Sequence, residues 1–134
     1  MSALSEGNQR HWEFYVVKNS DTKRKLSEAS PFAGCAKDAP VCIVLCYRKE
    51  CRYPDYVQND LSATAENMLI EAEQLGLGVA WFGIAPLKKR IEAVKNVLNI
   101  PDELEAFALI RCGYIDEMKA SRDNFEEDRV NLTD

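Results

Sequence analysis

Residues 41–47 read Val-Cys-Ile-Val-Leu-Cys-Tyr, an apolar run with no charged or strongly polar interruption. Successive side chains of a strand point to opposite faces, so this run has no face to give to water. It is the pattern of a central strand covered from two sides. A chain with such a strand must supply layers above and below it.

The flanking segments offer those layers. Residues 12–18 are aromatic and β-branched with alternation, which predicts a first strand. Asn19-Ser20-Asp21 provides N-cap candidates for a short helix through Ala29, stopped by Ser30-Pro31. Residues 32–37 form a short connection with room for one helical turn. Beyond a polar loop, residues 56–75 carry the strongest helical pattern. Val57, Leu61, Ala65, Met68, Ala72 and Leu75 recur at three- and four-residue spacing. Gly76-Leu77-Gly78 ends this helix, since glycine accepts left-handed backbone geometry. Residues 78–84 read as a third strand, and Pro86 is expected to open a helix bearing Leu87, Ile91, Val94, Val97 and Leu98. Asn99-Ile100-Pro101 breaks it, and residues 106–112 make a fourth strand. Strands interleaved with helices predict a layered α/β domain over residues 1–114. Gly113 begins a polar tail, and residues 115–134 have too few apolar side chains for a core of their own. The expectation is that they are either disordered or docked on another body, a partner subunit being the natural candidate.

The 134 residues are 46% hydrophobic and 29% charged, which suits one globular domain. A net charge of −5 with no basic run argues against nucleic acid or an anionic membrane as partner. No stretch approaches the ~18–20 apolar residues of a membrane span. The N-terminus lacks the order of a signal peptide, so a cytoplasmic location is expected. The five cysteines are odd in number and contain no Cys-x-x-Cys pair, so neither a disulfide framework nor a zinc site is expected. Cys42 and Cys46 read as small buried hydrophobes. A cysteine-based redox or metal protein is the weakest functional reading.

The chemistry-bearing segment is Ser5-Glu6-Gly7-Asn8-Gln9-Arg10-His11-Trp12. Hydroxyl, amide and guanidinium groups within a few residues are what a planar, hydrogen-bonding, phosphorylated cofactor needs. No nucleophile with a partnered base is visible, and a histidine mechanism would rest on His11, the one histidine.

Three stretches together resemble the nitroreductase family. Residues 4–12 stand where that family has a Pro-Ser-x-x-Asn-x-Gln-Pro-Trp-like loop. Leu75-Gly76-Leu77-Gly78 runs into Val79-Ala80-Trp81-Phe82-Gly83, like the family's Leu-Gly-Leu-Gly and Trp-x-Gly. Leu98-Asn99-Ile100-Pro101, then Gly113-Tyr114-Ile115-Asp116-Glu117 and Arg122, match its last landmark. The resemblance implies an α+β fold: a layered α/β/α domain with a central, mostly antiparallel four-stranded sheet, completed by dimerisation. It implies FMN at the interface of a homodimer and a ping-pong transfer from NAD(P)H to a nitroaromatic, quinone or similar acceptor. The flavin would carry the chemistry while the protein positions and tunes it. By position, Ser5, Asn8, Gln9 and Arg10 would contact the flavin ring edge, ribityl chain or phosphate. Phe82, Gly83 and Ile84 would lie beside the ring with backbone N–H groups near N5 and O4, and Arg122 would reach the phosphate.

Each residue also has a plainer reading. Asn8 can cap a turn, Trp81 can pack in the core or at a dimer contact, and Arg122 can be a solvated surface charge. Asn67 can be a hydrogen-bonding residue at the subunit contact, without a catalytic role. The family's opening helix, with arginines that grip the phosphate, has no counterpart in this sequence. Two such bonds lost would weaken FMN by roughly 10²–10⁴-fold unless Arg10, Arg122 or Arg129 compensates. Glu6 places a negative charge near the proposed anion unless it turns outward, and His11 replaces a stiffening proline. The alternative is therefore a non-catalytic nitroreductase-like scaffold with weak or absent FMN binding.

Overall fold

A computed structural model describes residues 2–116 and 124–133. The run at residues 41–47 lies inside β2 (Val41–Arg48), which is central in a sheet ordered β1-β2-β4-β3. Its neighbours are β1 (Trp12–Val17) and β4 (Leu104–Tyr114), and β3 (Leu77–Gly83) forms the far edge. Every pairing is antiparallel. Cys42, Val44 and Cys46 enter one apolar cluster, whereas Leu45 enters another on the opposite face. The two-sided burial expected of this strand is thus its actual environment, within an α+β fold.

Helices α1 (Ser20–Ser27) and α3 (Lys88–Leu98) cover the first face. Asn19 caps α1, its Oδ1 accepting from the Thr22 N–H at 3.0 Å, which satisfies an otherwise unpaired donor. Asn99 ends α3 at φ 49°, the left-handed geometry that asparagine tolerates. The long helix α2 (Val57–Gln74) covers the other face through Val57, Leu61 and Ala65. Gly76 follows at φ 70°, so the glycine stop of this helix forms as expected.

Three local expectations need correction. Leu75 is not on the buried stripe of α2: it lies at the C-cap and is 65% exposed. Pro86 precedes α3 rather than opening it, because Leu87 takes the N-cap position and its C=O accepts from the Ile91 N–H. β4 extends through Gly113 and Tyr114, which pair with Gly78 and Leu77, so the polar tail starts later than expected.

One irregularity shapes the functional end of the sheet. Leu45 pairs with Ala108 and Cys46 with Ala106, leaving Phe107 as an extra residue in β4. Such a bulge re-aims backbone groups. Here the Phe107 carbonyl accepts from both the Ile84 N–H (3.1 Å) and the Ala85 N–H (2.9 Å). The turn leaving β3 is thereby tied to the middle of the sheet.

Candidate functional site

The segment before β1 is a tight turn. The Asn8 N–H donates to Ser5 O at 2.9 Å, and the Arg10 N–H donates to Ser5 Oγ at 3.1 Å. Gly7, Asn8 and Arg10 all have positive φ, at 53°, 54° and 42°. Such geometry is uncommon for an arginine and persists only where surrounding contacts impose it. A Cβ on Gly7 would lie 2.3 Å from the Tyr53 ring, so any larger residue there must displace that ring as well as accept the positive φ. Asn8 Oδ1 accepts from Arg10 Nε at 2.8 Å, and both side chains face solvent.

Gln9 points the other way. Its Nε2 donates to Asp60 Oδ2 (2.8 Å) and Tyr53 O (3.3 Å), while its Oε1 accepts from the Tyr53 N–H (3.0 Å). The side chain is engaged by the scaffold, which corrects its expected place among groups facing the cofactor. Glu6 sends its N–H to Asp60 Oδ1 at 3.0 Å while the residue itself is exposed. Asp60, in the first turn of α2 and buried, therefore accepts two bonds from this loop. A carboxylate taken out of water needs such donors.

His11 is buried beneath the loop. Its Nδ1 is 3.7 Å from Asp60 Oδ2, and among the described residues neither ring nitrogen has a hydrogen-bond partner. The ring packs edge-on to Tyr47 at 6.3 Å. Burial pushes the imidazole pKa down, the Asp60 charge pulls it up, and Arg48 adds a smaller downward push. Burial dominates, so His11 is neutral at pH 7. Because its folded pKa is depressed, its contribution to stability is present above the ordinary value of 6.5 and is lost as pH falls below it toward the folded pKa. Urea midpoints measured from pH 7.5 to 5 should fall more for the wild type than for His11→Phe. Parallel decline of the two would show that His11 does not titrate out of a neutral buried state.

The second predicted half of the site is the end of β3. Ile84 is fully buried and its N–H is taken by Phe107 O, so it steadies the turn from within and offers no free donor. This corrects its expected contact role. Antiparallel ladders alternate inward and outward pairs. With the Ile84 N–H directed to β4, the Phe82 N–H is also directed inward, and the Gly83 N–H points off the open edge. Phe82 packs against the first core cluster. The Gly83 carbonyl accepts from Arg90 Nη1 at 2.8 Å, which brings a guanidinium beside the turn. Trp81 lies 6.1 Å from the Phe107 ring and joins the core, in keeping with its plainer reading. Arg122 lies outside the described residues.

The start of β1, the end of β2, the start of β4 and the end of β3 share one end of the sheet. The loop of residues 5–10 and the Gly83 turn therefore face the same way, but from opposite edges. Three interstrand spacings separate those edge strands, about 14 Å at ~4.8 Å each. Asp60, Tyr53 and Arg90 were not anticipated from sequence. For Asp60 a signal existed: it is an acid on the stripe of α2 that also buries Val57, Leu61 and Thr64.

A largely apolar groove of about 560 Å³ runs between α2 and the sheet, lined by Phe14, Ile43, Met68, Leu75, Val79 and Cys112 among others. Asn67 also borders it and is exposed. The cysteines are free thiols. Burial pushes the Cys46 thiol up to about 12, so it remains protonated and unreactive at neutral pH. Among the described residues, no helix is long and apolar enough to cross a membrane.

Comparison with known proteins places this geometry in context. A family model described as the Nitroreductase family matches residues 32–114. A protein of Methanothermobacter thermautotrophicus, named "Putative NADH dehydrogenase/NAD(P)H nitroreductase", is 35% identical over 133 residues, spanning 98% of this chain and 70% of the relative. Among solved structures, one described as a "Putative NADH Oxidase" from Clostridium acetobutylicum superposes with a TM-score of 0.94 at 34% identity, covering 98% of this chain and 81% of the other. An FMN-dependent nitroreductase of Clostridium difficile gives a TM-score of 0.90 at 25% identity, covering 99% of this chain and 81% of its own.

Proposed function

The chain belongs to the nitroreductase family and is an oxidoreductase; from that premise we propose that it is a cytoplasmic, homodimeric, FMN-dependent enzyme. It takes electrons from NAD(P)H and passes them to nitroaromatic, quinone or similar acceptors in a ping-pong cycle. The observation carrying this reading is the pairing of two donor sets at one end of the sheet: the Ser5, Asn8 and Arg10 loop on one edge, and the Gly83 N–H on the other.

The residues present fit FMN. The loop holds a hydroxyl, an amide and a guanidinium in a turn where a Cβ on Gly7 would clash, and Asn8 and Arg10 are exposed to a ligand. When bound, the flavin supplies the hydride and electron chemistry. Gly83 has no side chain to keep a flat ring away from its backbone, and its N–H is a fixed donor where negative charge builds. Ser5, Asn8 and Arg10 orient the polar side of the cofactor, and Arg10 or Arg122 balances its phosphate charge.

Dimerisation is supported by two features. The two donor sets rise from opposite edge strands, so a second copy offers a way to bring one set from each subunit against the same ring. The groove beside α2 is apolar, and Ile70 on that helix and Leu75 at its C-cap are 51% and 65% exposed. Burying such a patch against a second copy removes it from water. In the described part of the tail, the exposed Val130 and Leu132 would supply apolar contacts to the partner.

The test is a titration of purified protein with FMN, followed by addition of NADH or NADPH. A saturable flavin absorption band, bleached by nicotinamide, is the expected result. No binding at saturating FMN would leave the non-catalytic scaffold as the correct reading.

A further inference from the structure

The cofactor reading accounts for Ser5, Asn8 and Arg10 but not for the most buried polar group near them. Asp60 is 5% exposed and carries no cationic partner within hydrogen-bond distance among the described residues. Both of its oxygens are directed at the loop: Oδ1 accepts from the Glu6 N–H at 3.0 Å and Oδ2 from Gln9 Nε2 at 2.8 Å. Gln9 in turn bonds the Tyr53 backbone on both of its sides. The first turn of α2, the segment before it and the loop are thus joined by one carboxylate and one amide, more than fifty residues apart in sequence.

A buried carboxylate is a demanding choice for a structural link. It is stable only while its donors remain in place, so losing either one leaves a desolvated charge underpaired. The loop it holds has three residues at positive φ, one of them an arginine, a shape that persists only where surrounding contacts impose it. We propose that Asp60 is a positioning residue for the cofactor loop: with Gln9 it forms a clasp that holds residues 5–10 in the strained shape presenting Ser5, Asn8 and Arg10 outward. This rests on the FMN reading above for what the loop presents, though not for the clasp itself.

The polarity of the clasp gives a specific test. Asp60→Asn keeps size and shape but turns one acceptor into an NH₂, which must face either the Glu6 N–H or the Gln9 amide. Adding Gln9→Glu in the same chain reverses the inner contact. The new amide at position 60 then donates to the new carboxylate at position 9, the Glu6 N–H keeps its acceptor, and the total charge returns to the original, while the weaker bond from position 9 to Tyr53 O is lost. FMN affinity and amide hydrogen exchange of residues 5–10 are measured for the wild type, Asp60→Asn, and the double variant. The single variant should weaken FMN roughly 10–100-fold and speed exchange in the loop. The double variant should recover part of the loss on both readouts, falling between the single variant and wild type because position 9 no longer donates to Tyr53 O.

A carboxylate needed only for folding would not couple loop exchange to affinity, so a double variant with no recovery over Asp60→Asn, or with recovery of one readout alone, overturns the proposal. Unchanged affinity in the single variant overturns it as well. If Asp60→Asn does not fold, Gln9→Met serves instead. It leaves α2 intact and should still speed loop exchange and weaken FMN; unchanged values for this variant refute the clasp. A wild type that binds no FMN overturns the functional reading, and with it the cofactor role given to Asp60. The exchange measurements then still report whether the clasp exists.

Discussion

Gly7→Val is expected to weaken FMN binding by roughly 100-fold while the sheet still unfolds cooperatively. Two independent costs meet at this position. A β-branched residue at φ 53° is strained by about 1–3 kcal/mol. The new Cβ would also lie 2.3 Å from the Tyr53 ring, far inside contact distance. Gln9 fixes the Tyr53 backbone through its N–H and C=O, so the ring can yield only by side-chain rotation, and the strain at φ 53° remains even when it does. The turn therefore opens, and the groups at residues 5, 8 and 10 lose their common direction. Gly7→Ala should fall between the valine variant and wild type. The core clusters do not include Gly7, so the thermal midpoint should move less than the cofactor affinity. Fluorescence quenching on FMN titration, with a calorimetric scan of the apoprotein, separates the two effects. Wild-type affinity in the valine variant would remove this loop from the cofactor site.

Leu45→Ala should destabilise the fold by about 2–5 kcal/mol. Leu45 is fully buried on β2 and packs among Leu61, Phe107 and Ile110, beneath α2. Helix and sheet backbones meet across this position and can relax only partly into the space left. Typical domains have about 5–15 kcal/mol in total, so one substitution removes a large fraction. Val16→Ala, on the edge strand and 61% exposed, should stay within about 0.5 kcal/mol of wild type. Urea unfolding of both variants checks the contrast. Equal midpoints for the two would contradict the placement of β2 at the centre.

The layers were legible in the sequence because they follow from local rules. An uninterrupted apolar run specifies the central strand, a three-four periodicity specifies α2, and Gly76 marks its end. Strand order was not available in the same way. Strands interleaved with helices suggest α/β layering, and nothing local reveals that every pair is antiparallel or that β4 lies between β2 and β3. The resemblance supplied the antiparallel sheet that the residues alone did not.

The site divides along the same line. Ser5, Asn8 and Arg10 are gathered by proximity in sequence, so reading the loop finds them. Gln9 looks equivalent from its side chain, but the turn directs it inward to a partner on α2. Ile84 looks equivalent to Gly83, but the Phe107 bulge claims its N–H. A one-residue change of register decides which amide faces outward, and that register is set by pairing with a distant strand. Leu75 fits the helical stripe by spacing but falls beyond the last full turn. Asp60 was concealed because a charged residue at a helix start has an ordinary explanation in the helix dipole. Its burial exists only once the loop has folded over it.

The gap between the two edge strands has a consequence for how occupancy responds to dilution. On the homodimeric reading proposed above, each cofactor draws one donor set from each of two polypeptides. Filling the site then depends on encounters between polypeptides as well as on the supply of cofactor. Saturation curves recorded at successively lower protein levels are then expected to shift toward higher ligand, and superposable curves would count against a shared site.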